Sequence, residues 1–142
     1  MARGDVFLVP VDFSRGSEKA LNCALKMARE QHAKVVSLHV VPTEVAYPQT
    51  SASFDLYGFL EREARENFQK VIKRKHLDRK NSTLVVARGT DFPAIIVRQA
   101  KKIGAAMIIM GSHGRTGLRR FLLGSVAERT LRYAHCSVLI VK

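Results

Sequence analysis

The sequence has little of what metal centres and disulfide frameworks need. Its two cysteines, Cys23 and Cys136, are far apart and form no CxxC or Cys/His pattern with metal-ligand spacing. We therefore expect two reduced, packed thiols, with neither a structural zinc site nor a disulfide scaffold. Tryptophan is absent and aromatic residues make up 7% of the chain, so the sequence lacks a recognisable nucleic-acid-binding signature with interleaved aromatics.

Long apolar segments are missing as well. No run of eighteen apolar residues occurs, and residues 1–11 show no apolar stretch followed by a small-residue cleavage site. We therefore expect no transmembrane helix, no signal peptide and a cytoplasmic location. A chain of 142 residues with 46% hydrophobic content suits one domain, residues 1–142, with one continuous core.

Acidic residues are scarce relative to basic ones. Twelve Asp and Glu face 24 Lys and Arg, which gives a formal charge of +12 and a pI near 10.3. From Pro93 onward the chain has nine Lys or Arg and one acidic residue, Glu128, so +8 of the net charge of +12 lies in the last third. This excess favours anionic partners such as nucleotides, nucleic acids or lipid head groups, but charge alone does not choose among them.

Short β-branched apolar runs alternate with longer segments of helical period, which is typical of βαβ units and a largely parallel sheet. The sequence predicts five strands, at residues 6–11, 35–41, 83–87, 106–110 and 137–141. It predicts four helices, at residues 17–31, 54–75 and 91–104 and from residue 125 onward, and a loop at 42–53. Asp91 is the expected N-cap of the third helix, and Ser125 with Glu128 forms a capping-box pattern at the fourth.

The residues with the strongest chemical character follow the predicted strands. Ligands of an open parallel sheet bind beyond the carboxyl ends of its strands, where the strand order reverses. After the fourth strand come glycines 111, 114, 117 and 124, and Gly124-Ser125 leads directly into a helix N-terminus. Free N–H groups and the helix dipole there favour phosphate, and Arg115, Arg119 and Arg120 offer countercharge. The alternative is an ordinary glycine-rich loop with solvated arginines.

Two well-known phosphate motifs are absent: the sequence has no GxxxxGK[ST], and no GxGxxG follows the first strand. Instead, Gly111-x-x-Gly114, nine residues and Gly124-Ser125 resemble the G-2x-G-9x-G-[ST] signature of ATP-binding universal stress proteins. The segments 10–14, 38–41 and 137–141 also resemble that family, in the same order. The resemblance therefore spans nearly the whole chain.

The resemblance implies a single-domain, three-layer, doubly wound α/β fold of the Rossmann-like, adenine nucleotide α-hydrolase-like type, with five parallel strands in the order 3-2-1-4-5. It implies an ATP site in which Asp12 holds the ribose, apolar residues enclose the adenine, and the glycine segment and the fourth helix hold the phosphates, with Mg²⁺ or Mn²⁺ held mainly by the phosphates. The positions concerned are Pro10, Val11, Asp12, Val40, Val41, Met110, Gly111, His113, Gly114, Arg115, Gly124, Ser125 and Val126.

Each assignment has a structural alternative. Asp12 could simply cap the turn into the first helix, the valines and Met110 are core residues in any case, and His39 is interpreted as a hydrogen-bonded strand residue. Ser125 and His113 lack the orienting carboxylate and oxyanion site that a catalytic triad needs. We therefore expect a nucleotide-dependent regulatory module without dedicated catalytic residues.

The sequence also leaves two alternative functions open and predicts an oligomeric state. The alternatives are a basic nucleic-acid-binding protein and a nucleotide-dependent enzyme on a related α/β fold. A homodimer is expected through the apolar fifth strand, which lies at a sheet edge if the family's strand order holds.

Overall fold

Strands and helices alternate along the chain as predicted. The computed structural model describes residues 4–43, 55–77, 79–113 and 122–142. Its elements are β1 (Val6–Pro10), α1 (Arg15–Gln31), β2 (Lys34–Val41), α2 (Leu56–Arg74), β3 (Ser82–Arg88), α3 (Phe92–Ile103), β4 (Met107–Gly111), α4 (Ser125–Tyr133) and β5 (Ser137–Val141). Most of the predicted loop at 42–53 lies outside the described residues.

The five strands form one sheet in the order β3-β2-β1-β4-β5, and every neighbouring pair is parallel. This confirms the order implied by the resemblance. Successive side chains of a strand point to opposite faces, so Phe7 and Val9 of β1 enter one core and Leu8 enters the other. Helices α1 and α2 cover the first core, and α3 and α4 cover the second.

Side chains cap three of the four helices in the described part of the chain. The side chains of Ser14, Asp55 and Asp91 accept hydrogen bonds from backbone N–H groups at the starts of α1, α2 and α3, respectively. Helix α4 differs: its N-cap is Gly124, with φ −59° and ψ 151°, and no side chain caps it. The predicted capping box is therefore wrong, because Ser125 is already the first helical residue and cannot act as N-cap.

Both cysteines are free and half-buried. Burial raises the pKa of the Cys136 thiol, while a hydrogen bond with the backbone of Ile108 has a smaller, lowering effect. Within the described residues, no helix combines the length and the apolar character that crossing a membrane requires.

Candidate functional site

A crevice opens between two central strands at their carboxyl ends. The pairing of β1 with β4 ends at Leu8 and Ile108. Beyond that point β1 stays paired with β2 as far as Pro10, and β4 stays paired with β5 as far as Gly111. The two strands part where the strand order reverses, which is the place where open α/β sheets bind ligands.

Strand β2 fixes the backbone that leaves β1. The N–H of Val11 donates to the Leu38 carbonyl at 2.8 Å, and the Val11 carbonyl lies 2.8 Å from Nδ1 of His39. Because that carbonyl accepts, Nδ1 carries the proton. This confirms the interpretation of His39 as a hydrogen-bonded strand residue. The two hydrogen bonds also hold Val11, the residue before Asp12, in place.

The turn after Asp12 has an unusual backbone. Phe13 has φ 63°, a left-handed conformation that costs a bulky residue free energy, and its ring lies 5.0 Å from that of His39. The turn lets Asp12 Oδ1 accept the Ser14 N–H at 3.0 Å. Asp12 therefore does stabilise the entry into α1, as the structural alternative proposed. Asp12 is half-buried and follows the end of β1, on the side of the sheet edge where β1 and β4 part.

Three glycines, Gly16, Gly111 and Gly124, form what we call the glycine junction. A Cβ on Gly111 would lie 2.9 Å from the backbone C and O of Gly16, and one on Gly16 would lie 2.8 Å from the carbonyl oxygen of His113. A Cβ on Gly124 would lie 3.0 Å from the carbonyl oxygen of Ser112. The missing side chains let the start of α1, the end of β4 and the start of α4 meet backbone to backbone.

The junction changes the interpretation of the glycine spacing. The resemblance implies that Gly111 and Gly124 lie in the phosphate-binding segment, and their vacant Cβ positions face protein backbone. Gly114 and Arg115 of the predicted site lie outside the described residues, as do Gly117, Arg119 and Arg120.

The start of α4 presents backbone donors to this region. The Gly124 carbonyl accepts the Glu128 N–H at 2.9 Å, which closes the first turn of the helix. The N–H groups of residues 125–127 have no intrahelical partner, as in any α-helix, and the N-cap residue, Gly124, has no side chain that could accept from them. Ser125 is exposed, so its hydroxyl adds a further donor. This end of α4 suits an anion.

His113 lies between β4 and α4. Its Nδ1 is 3.1 Å from Oγ of Ser112, and its buried Nε2 has no hydrogen-bond partner among the described residues. Either tautomer leaves Nε2 with one bond to make, as donor or as acceptor. A ligand hydroxyl or phosphate oxygen would satisfy it. No group of three His, Cys, Asp or Glu suited to a metal ion occurs in the described part.

Comparison with known proteins decides the family. The sequence model of the universal stress protein family matches residues 5–142. The chain belongs to the universal stress protein family. It is 36% identical over 138 residues to universal stress protein MJ0531 of Methanocaldococcus jannaschii, a match that covers 95% of this chain and 80% of that protein.

Solved structures show the same fold. The protein MJ0577 is similar with a TM-score of 0.80 at 29% identity, over 98% of this chain and 96% of the other. The universal stress protein of Archaeoglobus fulgidus in complex with dAMP is similar with a TM-score of 0.66 at 22% identity, over all of both chains. At that lower identity the likeness shows the fold alone.

The apolar positions of this universal stress protein differ in how open they are. Val11, Val41 and Met110 are 6%, 2% and 5% exposed and are core residues. Val40 is half-buried and packs against the second core. Val126 also packs there, so its backbone N–H is the group it offers to a ligand. Of the predicted adenine contacts, Val40 has the most accessible side chain.

Sequence reasoning about this universal stress protein missed Phe13 and Gly16 as positioning residues. Gly16 lies in the first turn of α1 but just before the predicted start of that helix at residue 17, so it carried no sign of close packing. Phe13 had no such sign either, because aromatic residues rarely adopt positive φ.

Proposed function

We propose that this universal stress protein binds ATP in the crevice between β1 and β4 and acts as a nucleotide-dependent regulatory module. The observation that carries the proposal is the parting of these strands, because Asp12 follows the end of β1, and Gly124, at the start of α4, donates its N–H to the Ser112 carbonyl just after β4. The carboxylate of Asp12 accepts hydrogen bonds from the ribose hydroxyls, and the N–H groups of residues 125–127 donate hydrogen bonds to the phosphates.

The remaining contacts follow from the positions around the opening. Val40 borders the adenine, His113 Nε2 bonds a ribose or phosphate oxygen, and the Ser125 hydroxyl bonds the phosphate tail. Gly114 and Arg115 join the site on the strength of the resemblance. When present, Mg²⁺ or Mn²⁺ would neutralise phosphate charge, and the phosphates supply most of its ligands. No residue is assigned to catalysis, and slow hydrolysis needs none.

The relatives support an adenine nucleotide without choosing its phosphate count. The Archaeoglobus fulgidus protein binds dAMP on this fold. ATP is favoured here because the glycine signature resembles that of the ATP-binding members and because α4 offers several donors in a row. We also propose a single domain over residues 1–142 and a cytoplasmic location, which two free thiols favour.

Isothermal titration calorimetry with Mg-ATP tests the proposal directly. We expect a saturable heat with one site per chain. At about a hundred times the dissociation constant, ATP should raise the free energy of unfolding by about 2.7 kcal/mol, which a thermal shift detects as several degrees. Absence of both heat and thermal shift at millimolar Mg-ATP would show that the crevice is not a nucleotide site.

The proposal includes a homodimer through β5. This strand pairs on one side with β4 and leaves its other edge open among the described residues. Because Val141 accepts from Ser112 on the β4 side, the backbone groups of Val138 and Ile140 point outward in a parallel strand. An apolar edge of this kind invites pairing with a second copy about a two-fold axis.

Ile140→Pro is expected to convert the dimer to a monomer, because proline removes an outward donor without breaking the ladder to β4. Light scattering at tens of micromolar measures the mass, and circular dichroism checks that the variant is folded. Leu139→Lys should also weaken the dimer; Leu139 packs against the first core and Ile140 against the second, so the check that the variant is folded applies to both. A wild-type mass near 15.9 kDa, that of one chain, would refute the dimer.

Nucleic-acid binding is the second candidate, favoured by the formal charge of +12. Scattered cations neutralise phosphates without distinguishing bases, so we expect weak, sequence-indifferent binding whose affinity falls steeply as salt rises. Fluorescence anisotropy with two unrelated 20-base-pair duplexes at 50 and 200 mM salt measures this. Tight, sequence-selective binding at 200 mM would instead make nucleic acid the principal ligand.

A further inference from the structure

Besides the crevice, a second surface feature lies between α3 and α4. A groove of about 510 Å³ runs between the two helices. Its apolar floor includes Ala94 and Val97 of α3 and the ring of Tyr133 of α4, which is 58% exposed. Apolar surface that stays open between two helices is a common feature of sites for partner segments.

The rim of the groove is positively charged. Arg98 and Lys101 of α3 and Arg129 of α4 line it, and none of the described residues that line it carries a carboxylate. Arg129 lies 3.4 Å from Asp91, which sits at the start of α3. Neither Arg98 nor Lys101 has an ion-pair partner among the described residues. Two unpaired cations therefore border an apolar floor.

The geometry points to a docking site for an acidic amphipathic segment of another protein, which goes beyond nucleotide binding. Apolar side chains of the segment contact Val97 and Tyr133, and its carboxylates pair with Arg98 and Lys101. Charge complementarity selects the partner and speeds encounter, while the apolar contacts hold it in place.

Other occupants fit the groove less well. A second copy of this chain would bring a formal charge of +12 against a basic rim. A nucleic acid could stack bases on the rings of Tyr133 and His135, but its phosphates would lie over an apolar floor. An acidic segment with apolar side chains satisfies both the floor and the rim.

The probe is a fluorescein-labelled 16-residue peptide with leucines at helical spacing and glutamates at its flanks. A second peptide carries serine in place of each leucine at the same charge, and a 16-base oligothymidylate serves as the nucleic-acid probe. Fluorescence anisotropy with the full chain gives each dissociation constant at 50 and 150 mM salt. We expect the leucine peptide to bind more tightly than either of the other probes.

The protein variant is Arg98→Glu with Lys101→Glu, and its control is Lys26→Glu with Arg29→Glu. Both pairs combine one Lys and one Arg three residues apart on the exposed side of a helix, but residues 26 and 29 lie on α1, across the sheet. We expect about tenfold weaker peptide binding for the groove variant and less than twofold for the control, because reversing two rim charges replaces attraction with repulsion.

A third variant, Tyr133→Ala, tests the floor without changing charge. It should weaken binding of the leucine peptide and leave the affinity for the serine peptide unchanged. Equal losses in the groove and control variants would show that overall charge attracts the peptide, and equal affinity for the two peptides would show that the floor is not used. Tighter, groove-dependent binding of oligothymidylate would assign the surface to nucleic acid. Each of these three results overturns the proposal.

Discussion

Gly111→Val is expected to lower the free energy of unfolding by about 3 kcal/mol and the melting temperature by about 10 °C. A Cβ at this position would stand 2.9 Å from backbone atoms of Gly16, in the first turn of α1. Backbone cannot move aside as the end of a flexible side chain can, so either α1 or β4 must shift. That shift disturbs both cores, because β4 contributes buried residues to each.

Ala106→Val provides the matched control for this variant. Ala106 is exposed and lies just before β4, so the added methyl groups enter solvent and the expected change is within about 0.5 kcal/mol. Chemical denaturation and thermal melting by circular dichroism compare the two variants with the wild type. If Gly111→Val melted within about 2 °C of the wild type, the close contact with Gly16 would not exist.

The glycine junction also decides which variants can test nucleotide binding. Gly124 has φ −59°, a conformation open to any residue, so strain is not the obstacle to a side chain there. A Cβ would instead crowd the Ser112 carbonyl at 3.0 Å. Loss of ATP binding in Gly124→Val would therefore not distinguish a blocked phosphate from a displaced loop. Side chains that project into the crevice make cleaner tests.

Local patterns explain why much of the fold could be predicted. The apolar runs of the strands and the stripe of Leu21, Ala24 and Ala28 on α1 depend on short-range periodicity. Asp91 and Gly104, at the two ends of α3, follow from the conformations that helix termini require. The strand order came from the resemblance, because periodicity carries no information about which strands pair.

Long-range backbone contacts explain most of what was missed at the site. The contact of Gly16 with Gly111 joins positions 95 residues apart, so nothing local distinguishes these glycines from ligand-binding ones. The N-cap of α4 was misplaced by one residue because Ser125 is a stronger capping residue than Gly124. That difference matters, since a serine N-cap would have satisfied donors that the proposal assigns to phosphate.

Asp12→Ala is expected to weaken ATP binding by roughly 1.5 to 3 kcal/mol, about 10- to 150-fold, if the carboxylate accepts hydrogen bonds from the ribose hydroxyls. The same substitution removes the acceptor of the Ser14 N–H and should lower stability as well. Asp12→Asn separates these roles, because its side-chain oxygen can still accept that N–H. The asparagine variant should melt near the wild type and still bind ATP more weakly, since its amide is uncharged and is a poorer acceptor for the ribose hydroxyls.

Asp55→Ala is the matched control for the Asp12 variants. Asp55 also accepts a backbone N–H, that of Gly58 at 2.9 Å, but it does so at the start of α2 rather than beside the crevice. Its loss should cost about 1 kcal/mol of stability and leave ATP affinity unchanged. Calorimetry with Mg-ATP on the wild type and the three variants gives the affinities, and thermal melting without ligand gives the stabilities. Wild-type affinity in Asp12→Asn, or an equal loss in Asp55→Ala, would remove Asp12 from the ribose and leave it as a residue that only stabilises the turn.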